Sequence, residues 1–517
     1  MLLVHRRALP SVAAGLAACL ITYVTGCGSG SRHGRSPAGP SVAHTTSVTV
    51  LSSPTGRSVP FGFLGLSLEY PAIEAYAGTD PSALDPVFER LVRNLVPGQA
   101  PVLRIAGDSA DRTWWPAAGL VRPAGVAFDI TPRLLAVTRA LARALRARLI
   151  VGLNFEADDA ALASAEARAL IDGLGRGAVR ALELGNEPDL YASFPWYRLP
   201  DGQPVTGRPS SYDMSALIGD FTRFAAMLPP GRLAGPSLGA PGWTRELGRF
   251  LAAEPRVGLV TLHRYPLQLC YTPPRAARYP TVGHLLSSAS SIGLADSFAP
   301  YAALAGARGR SLRIDELNTV SCGADRAVSQ TFAAALWALD TLFEMTRVGI
   351  HGVNIHTFPG AGYELFRIGR SRGRWQAIVG PEYYGLMLFA RAAPAGSRLL
   401  DVQNGASGTL RVWATRSGDG TVRVLAVNTG SLARGVSVRI AGAQPARARL
   451  ERLLAPDLRS SSGVTLAGQS FGSRTFTGRL AGHPDVSMVA AAGGRYAVTV
   501  PAGSAALLVL SPATGST

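Results

Sequence analysis

From Phe61 to about Arg391, short apolar runs alternate with longer stretches in which Ala, Leu and Arg recur at helical spacing. The short runs predict eight strands: Gly62–Glu69, Val102–Ala106, Arg148–Asn154, Val179–Leu184, Leu233–Pro236, Gly258–His263, Ser311–Asp315 and Gly352–His356. Helical segments lie between most of them, among them Pro132–Arg146, Ala160–Leu174, Tyr212–Leu228 and Ala327–Thr346. Eight βα units in succession match an α/β fold of the (β/α)8 TIM-barrel class over residues 61–391. A doubly wound sheet is the alternative, but no nucleotide-binding Gly-rich turn follows the first strand, since Gly62-Phe63-Leu64-Gly65 is too sparse.

Beyond Arg391 the pattern changes. Leu410–Ala414, Val422–Asn428, Val436–Ile440, Tyr496–Val500 and Ala505–Leu510 are short β-rich runs separated by Gly, Ser, Asp and Pro. They predict a C-terminal β-sandwich domain over residues 392–512. A strand-like segment, Ser47–Leu51, precedes the barrel, and residues 47–60 are expected to pair into that sandwich. No internal repeat is found.

The N-terminus reads as an export signal over residues 1–26. His5-Arg6-Arg7 precedes an apolar stretch from Ala8 to Val24, whose length and flanks fit a signal better than a membrane span. It ends in Val24-Thr25-Gly26-Cys27, similar to a bacterial lipobox in which Cys27 is lipidated. An ordinary signal peptide that happens to contain Cys is the other reading. Residues 27–46, rich in Gly, Ser and Pro, are expected to be a flexible linker. The chain is thus expected at the cell surface or outside the cell, touching membrane only through an N-terminal lipid.

Composition changes this picture little. A chain of 517 residues is too long for one small core, and 47% hydrophobic with 16% charged residues suits a globular protein. The net charge of +17 comes entirely from Arg, because Lys is absent. The arginines are dispersed, with no run of five or six, so no nucleic-acid partner is expected. An acidic sugar fits the charge. Of four cysteines, Cys19 lies in the signal and Cys27 in the lipobox. Cys270 and Cys322 remain as a disulfide candidate in an oxidising compartment, or as two buried thiols. Neither sits in a CxxC or Cys-His cluster, and no metal or cofactor is expected.

The chemistry is carried by two segments. Leu182-Glu183-Leu184-Gly185-Asn186-Glu187-Pro188-Asp189 closes the fourth predicted strand, and Arg313-Ile314-Asp315-Glu316-Leu317-Asn318 closes the seventh. Barrel strands converge at their C-terminal ends, so Glu187 and Glu316 are expected to face each other across that mouth. Cleavage of a glycosidic bond needs this pairing: an acid for the leaving oxygen and a carboxylate on the opposite side of the sugar. An Asn-Glu-Pro alone also fits a helix N-terminus; the partner glutamate on the matching strand is what favours catalysis.

Asn186-Glu187 after strand four with Glu316 after strand seven resembles the superfamily of retaining barrel glycosidases. Further segments resemble glycoside hydrolase family 79, the β-glucuronidase and heparanase family: Leu103-Arg104-Ile105-Ala106-Gly107-Asp108-Ser109-Ala110-Asp111, His263-Arg264-Tyr265-Pro266, Glu316-Leu317-Asn318-Thr319-Val320-Ser321-Cys322-Gly323 and Pro381-Glu382-Tyr383-Tyr384-Gly385. The terminal β-domain is similar as well. The resemblance implies that Glu187 is the general acid/base, kept protonated by its neighbour's charge and partial burial, and that Glu316 is the nucleophile. It implies that Asn186 bonds the sugar 2-hydroxyl and that Tyr265 orients the nucleophile. Glu69 and Asp108 are then placed for sugar hydroxyls, and Tyr363 for the sugar carboxylate.

Two positions depart from the family. Asp108 stands where Asn is usual, which removes a donor and adds charge near a uronic acid. Ser321 stands where some bacterial glucuronidases use Tyr on the carboxylate, leaving the backbone N–H groups of Cys322 and Gly323 for that task. His263 and His356, at strand ends, read as satisfied barrel histidines. Trp114 and Trp115 read equally as a sugar platform or as a barrel cap. The expected activity is that of a retaining exo-β-glucuronidase acting on glucuronic or 4-O-methylglucuronic acid residues of glycans. The alternatives are an endo-acting heparanase-like enzyme, a neutral-sugar glycosidase, or a surface lipoprotein that binds glycans without cutting them.

Overall fold

The computed structural model describes residues 44–442 and 445–512. The signal, Cys27 and nearly all of the expected linker lie outside the described residues. Eight parallel strands close into a barrel, numbered here β1 (Leu64–Glu69), β2 (Val102–Ala106), β3 (Arg148–Leu153), β4 (Val179–Leu184), β5 (Leu233–Leu238), β6 (Val257–Arg264), β7 (Ser311–Leu317) and β8 (Gly352–His356). Each strand pairs with its neighbours in sequence, and β8 closes the ring against β1 through Val353 beside Leu64. Outer helices start where a side chain can satisfy first-turn N–H groups: Thr131, Asp159 and Asp213 cap Pro132–Leu145, Ala160–Leu174 and Met214–Met227. The segment expected as one helix from Ala327 is two, Arg326–Ser329 and Phe332–Val348, separated at Gln330-Thr331.

Period-two alternation then arranges the barrel interior. Val102, Ile150, Ala181, Ala234 and Leu259 form a small apolar plug, each near the start of its strand. Two residues further along come Arg104, Glu183 and Thr261, all fully buried. The interior is apolar at one end except for the buried Arg313, which donates to Asn354 and Gly62 O there, and charged toward the C-terminal mouth.

Strand β7 departs from regular pairing. Leu262 of β6 lies opposite Ile314, but His263 lies opposite Glu316, so one extra residue is inserted in β7. The pairing with β8 shifts over the same stretch. A bulge of this kind bends the strand and re-aims its side chains. Here it lets the consecutive Asp315 and Glu316 both serve the barrel interior, which a regular strand would forbid.

The C-terminal domain is a mixed eleven-stranded sheet. The N-terminal strand Thr45–Ser58 lies inside it, antiparallel to Arg398–Gln403 and parallel to Arg434–Ile440. Arg398–Gln403 and Arg447–Leu454 are strands that the hydrophobic pattern did not mark, their buried positions falling as adjacent pairs that break strict alternation. Val424, Ala426 and Leu508 fill the domain's own core, whereas Leu425, Val427 and Leu507 join the barrel's cluster. Trp413 stacks on Phe343 of helix Phe332–Val348, 5.4 Å between centroids, and its indole N–H donates to Asp340 at 3.0 Å. The two domains share one continuous packing surface.

Candidate active site

A cleft of about 550 Å³ opens at the C-terminal mouth, and Glu187, Glu316, Asn186, Glu69, Asp108 and Tyr265 line it. Tyr363 and Gly323 line it too.

On the β4 side, Glu187 adopts φ 53° and ψ 54°, a left-handed conformation that costs energy for a residue with a side chain. Neighbouring segments hold it there. Its N–H donates to Ser237 O at 3.1 Å, and the Asp189 carboxylate accepts the N–H groups of Gly239 and Ala240 at 3.1 and 2.6 Å. The loop after β5 is thereby pressed against the acid. A Cβ at position 239 would stand 2.6 Å from the Glu187 carboxyl and would push that carboxyl out of its place. Asn186 accepts from Arg104 Nη2 at 2.9 Å, and its Nδ2 donates to Asp108 Oδ1 at 3.1 Å.

On the β7 side, Glu316 is gripped at both oxygens. Tyr265 O–H donates to Oε1 at 2.8 Å and Arg104 Nη1 to Oε2 at 2.7 Å. Burial raises the Glu316 carboxyl, but the charges of His356, His263 and Arg104 and the Tyr265 hydroxyl outweigh it. The carboxyl is held well below the ordinary carboxylate range, so Glu316 is an ionised nucleophile-grade group. One oxygen of Glu187, one of Glu316 and a ring nitrogen of His263 lie within 4.8 Å of one another.

Arg104 organises this floor. It has no exposure, and besides Asn186 and Glu316 it donates through Nε to Glu183 Oε2 at 2.6 Å and through Nη1 to Ser67 Oγ at 3.1 Å. One guanidinium thus ties β1, β2, β4 and β7 together, which suits Arg's rigid fork of donors. His263 completes the layer, with Nδ1 3.1 Å from Glu187 Oε1 and Nε2 3.4 Å from Asp315 Oδ1. Burial and Arg104 oppose charge on His263, but Glu316, Asp315 and Glu187 overcome them and push it up to about 10. Burial pushes Glu183 up to about 8 against the pull of Arg104. Asp315 moves down, its burial outweighed by Glu183, Arg104 and His263. At neutral pH the layer therefore pairs Arg104 and His263 with Asp315 and Glu316, and buried charge is balanced.

Two triads have metal-like spacing, Glu183–His263–Asp315 and Glu187–His263–Glu316. In both, the positive charge a metal would bring already comes from Arg104 and protonated His263, so the donor set fits an ion-pair network better than a metal.

Around this floor, Glu69 pairs with no arginine: its Oε2 accepts Ser109 N–H at 2.8 Å, and its Oε1 lies 3.4 Å from His356 Nε2. Asp108 opens to the cleft. Desolvation by the barrel mouth and the like charges of Glu69, Glu316 and Glu187 push it up to about 7. The Tyr363 ring lies 5.9 Å from that of Tyr265 and 5.8 Å from His356. Ser321 lines the cleft, and its hydroxyl donates to Leu267 O at 3.4 Å. Cys270 and Cys322 form a disulfide with 5.7 Å between Cα atoms, joining the loops after β6 and β7. Trp114 lies away from the cleft, packed with Val126 and Leu162, and Trp115 packs against the main core.

Sequence reasoning missed the roles of Arg104, His263 and Asp315. A signal for Arg104 exists, since an arginine inside an apolar strand run must find buried partners. The contact of His263 with Glu187 had no local signal, and the bulge that turns Asp315 inward had none either.

Comparison with known proteins fits this geometry. Residues 412–507 match the model of the glycosyl hydrolase family 79 C-terminal beta domain. The C-terminal segment is thus similar to the terminal β domain of glycoside hydrolase family 79. No curated protein matches its sequence. Among solved structures, the chain is similar to a 4-O-α-L-rhamnosyl-β-D-glucuronidase from Fusarium oxysporum, with TM-score 0.67 and 22% identity, covering 90% of this chain and 100% of that one. It is also similar to the GH51 arabinofuranosidase of Xanthomonas axonopodis pv. citri, with TM-score 0.63 and 15% identity over 90% and 99% of the two chains. The GH51 α-L-arabinofuranosidase of Thermotoga petrophila gives TM-score 0.61 and 15% identity over 89% and 99%. At these identities the structures establish a shared fold.

Proposed function

We propose that the chain is a retaining exo-β-glucuronidase, exported by the segment ending at Cys27, that removes glucuronic or 4-O-methylglucuronic acid from glycans. The observation that carries the mechanism is the approach of Glu187 and Glu316, one oxygen of each lying within 4.8 Å of one oxygen of the other. Retaining pairs stand about 5–5.5 Å apart, whereas inverting pairs need roughly 6.5–9.5 Å to admit a water between carboxylate and sugar. Glu316, ionised and aimed by Arg104 and Tyr265, attacks the anomeric carbon as the glycosidic C–O bond breaks. Glu187 gives its proton to the leaving oxygen. Water then attacks the glycosyl-enzyme and returns a proton to Glu187, releasing the sugar and restoring the Glu316 carboxylate.

The acidic sugar is supported by the cleft's cations and by a backbone cradle. Arg112, Arg264 and Arg278 line the cleft. Cys322 and Gly323 also line the cleft, and their backbone N–H groups are the donors offered to the sugar carboxylate. The similar Fusarium enzyme is a glucuronidase by name.

Three measurements test the proposal. Proton NMR of the first product from an aryl β-glucuronide should show the β-anomer, and early appearance of the α-anomer would overturn retention. Glu316→Gln should lower turnover more than about a thousandfold. A parallel panel of aryl β-glucuronide, its 4-O-methyl form and an aryl arabinofuranoside decides the sugar, and preference for the arabinofuranoside would refute the uronate reading.

A further inference from the structure

Phe194 and Tyr271 stand at the rim of the cleft, and packing explains neither. Phe194 lines the cleft and is 37% exposed, while Tyr271 is 81% exposed. Their rings meet edge to face, with centroids 6.0 Å apart and planes at 72°. Two large aromatic side chains left in water forgo the burial that drives such residues inside.

Both are nevertheless held in place. Phe194 N–H donates to Leu190 O at 3.0 Å, which closes the turn that begins at the acid/base residue. Tyr271 follows Cys270, and the disulfide to Cys322 anchors its loop to the one that carries Gly323. Its φ is 58°, in the left-handed region that bulky side chains avoid. Strain kept at an exposed ring beside a cleft marks a position fixed for contact with something outside the chain.

Reaction chemistry says what that is. The proton of Glu187 goes to the leaving oxygen, so the leaving group must lie on the side of the loop after β4. Phe194 is on that loop, and Tyr271 extends its surface from the loop after β6. We infer that Phe194 and Tyr271 form a platform for the first pyranose ring of the leaving group. The C–H face of a sugar ring packs against an aromatic face, while its hydroxyls remain in water at such an exposed rim. The inference rests on the glycosidase reading and deepens it: the natural substrate is a glycan, with a sugar on both sides of the cleaved bond.

The test compares two leaving groups on one sugar. Glucuronosyl fluoride departs as a single atom and cannot reach the platform, whereas a disaccharide of glucuronic acid β-linked to galactose can. Phe194→Ala and Tyr271→Asn, the latter chosen because Asn tolerates the left-handed backbone, should each lower kcat/KM for the disaccharide about tenfold. Turnover of the fluoride should stay within about twofold, which also shows that the variants fold. Tyr271→Phe, which keeps the ring, should behave as the parent enzyme. An unchanged ratio of disaccharide to fluoride in both alanine and asparagine variants overturns the platform. If the parent enzyme cleaves neither glucuronide, the uronate reading falls instead. The same ratio is then taken with arabinofuranosyl fluoride and an arabinofuranosyl xyloside, and an unchanged ratio there overturns the platform equally.

Discussion

Around Glu316, Tyr265 donates to one carboxylate oxygen and Arg104 to the other, and the same Arg104 donates through Nε to Glu183. Ionisation of Glu316 is thus built from separate parts of the barrel, and no single neighbour explains it. Asp108 is the residue whose identity matters most for the sugar. It replaces the Asn expected from the family resemblance, but with its carboxyl pushed up to about 7 it is neutral in acid and can donate as an amide would. Above that pH it becomes an anion beside the site proposed for a uronate. The kcat/KM for an aryl β-glucuronide should therefore fall as pH rises through about 7, beyond any effect on a neutral glycoside. Asp108→Asn, a donor at every pH, should remove that limb. Superimposable pH profiles for the two enzymes would show that Asp108 does not govern it.

At the level of elements, the bulge in β7 and the disulfide do what residue type alone does not. The bulge turns Asp315 and Glu316 to one side, so the ion-pair layer and the nucleophile come from adjacent positions. The disulfide closes a separation of 52 residues beside the short parallel pairing of Leu267–Gln268 with Val320–Ser321. In the chain-entropy picture a loop of that size is worth about 2–4 kcal/mol. The double variant Cys270→Ser/Cys322→Ser should lose stability of about that size in denaturant unfolding. Its KM for the aryl β-glucuronide should also rise, because the Gly323 cradle hangs from the tied loop. Loss of stability with an unaltered KM would separate the disulfide from substrate binding.

Over the whole molecule, barrel and sandwich act as one body. Alternate residues of Val422–Asn428 serve two cores, and Trp413 stacks on a barrel helix. The N-terminal strand Thr45–Ser58 sits between Arg398–Gln403 and Arg434–Ile440, so the first described element is part of the C-terminal sheet. A chain starting at Val59 would leave both partners with unpaired edges, which are templates for association. We expect that truncated chain to elute as aggregate in size-exclusion chromatography while the chain beginning at His44 stays monodisperse. A monodisperse, fully active truncation would show that the strand is dispensable.

The sequence by itself determined the barrel class, because eight short apolar runs at βα spacing leave few other ways to bury themselves. It also marked Glu187 and Glu316, since each ends a strand run whose C-terminal end a barrel must bring to the mouth. The hydrophobic pattern could not show strands such as Arg447–Leu454, where the buried pair Leu450 and Glu451 breaks the alternation. Nor could it choose between two readings of Cys270 and Cys322, which the structure joins. Only the tertiary structure decided that Arg104, His263 and Asp315 form the charged layer beneath the glutamates, and that Trp114 lies away from the cleft. The physical reason is range. Periodicity reports which face of an element is buried, but the partners of a buried charge lie dozens to hundreds of residues away, and a one-residue bulge changes them without altering the pattern that precedes it.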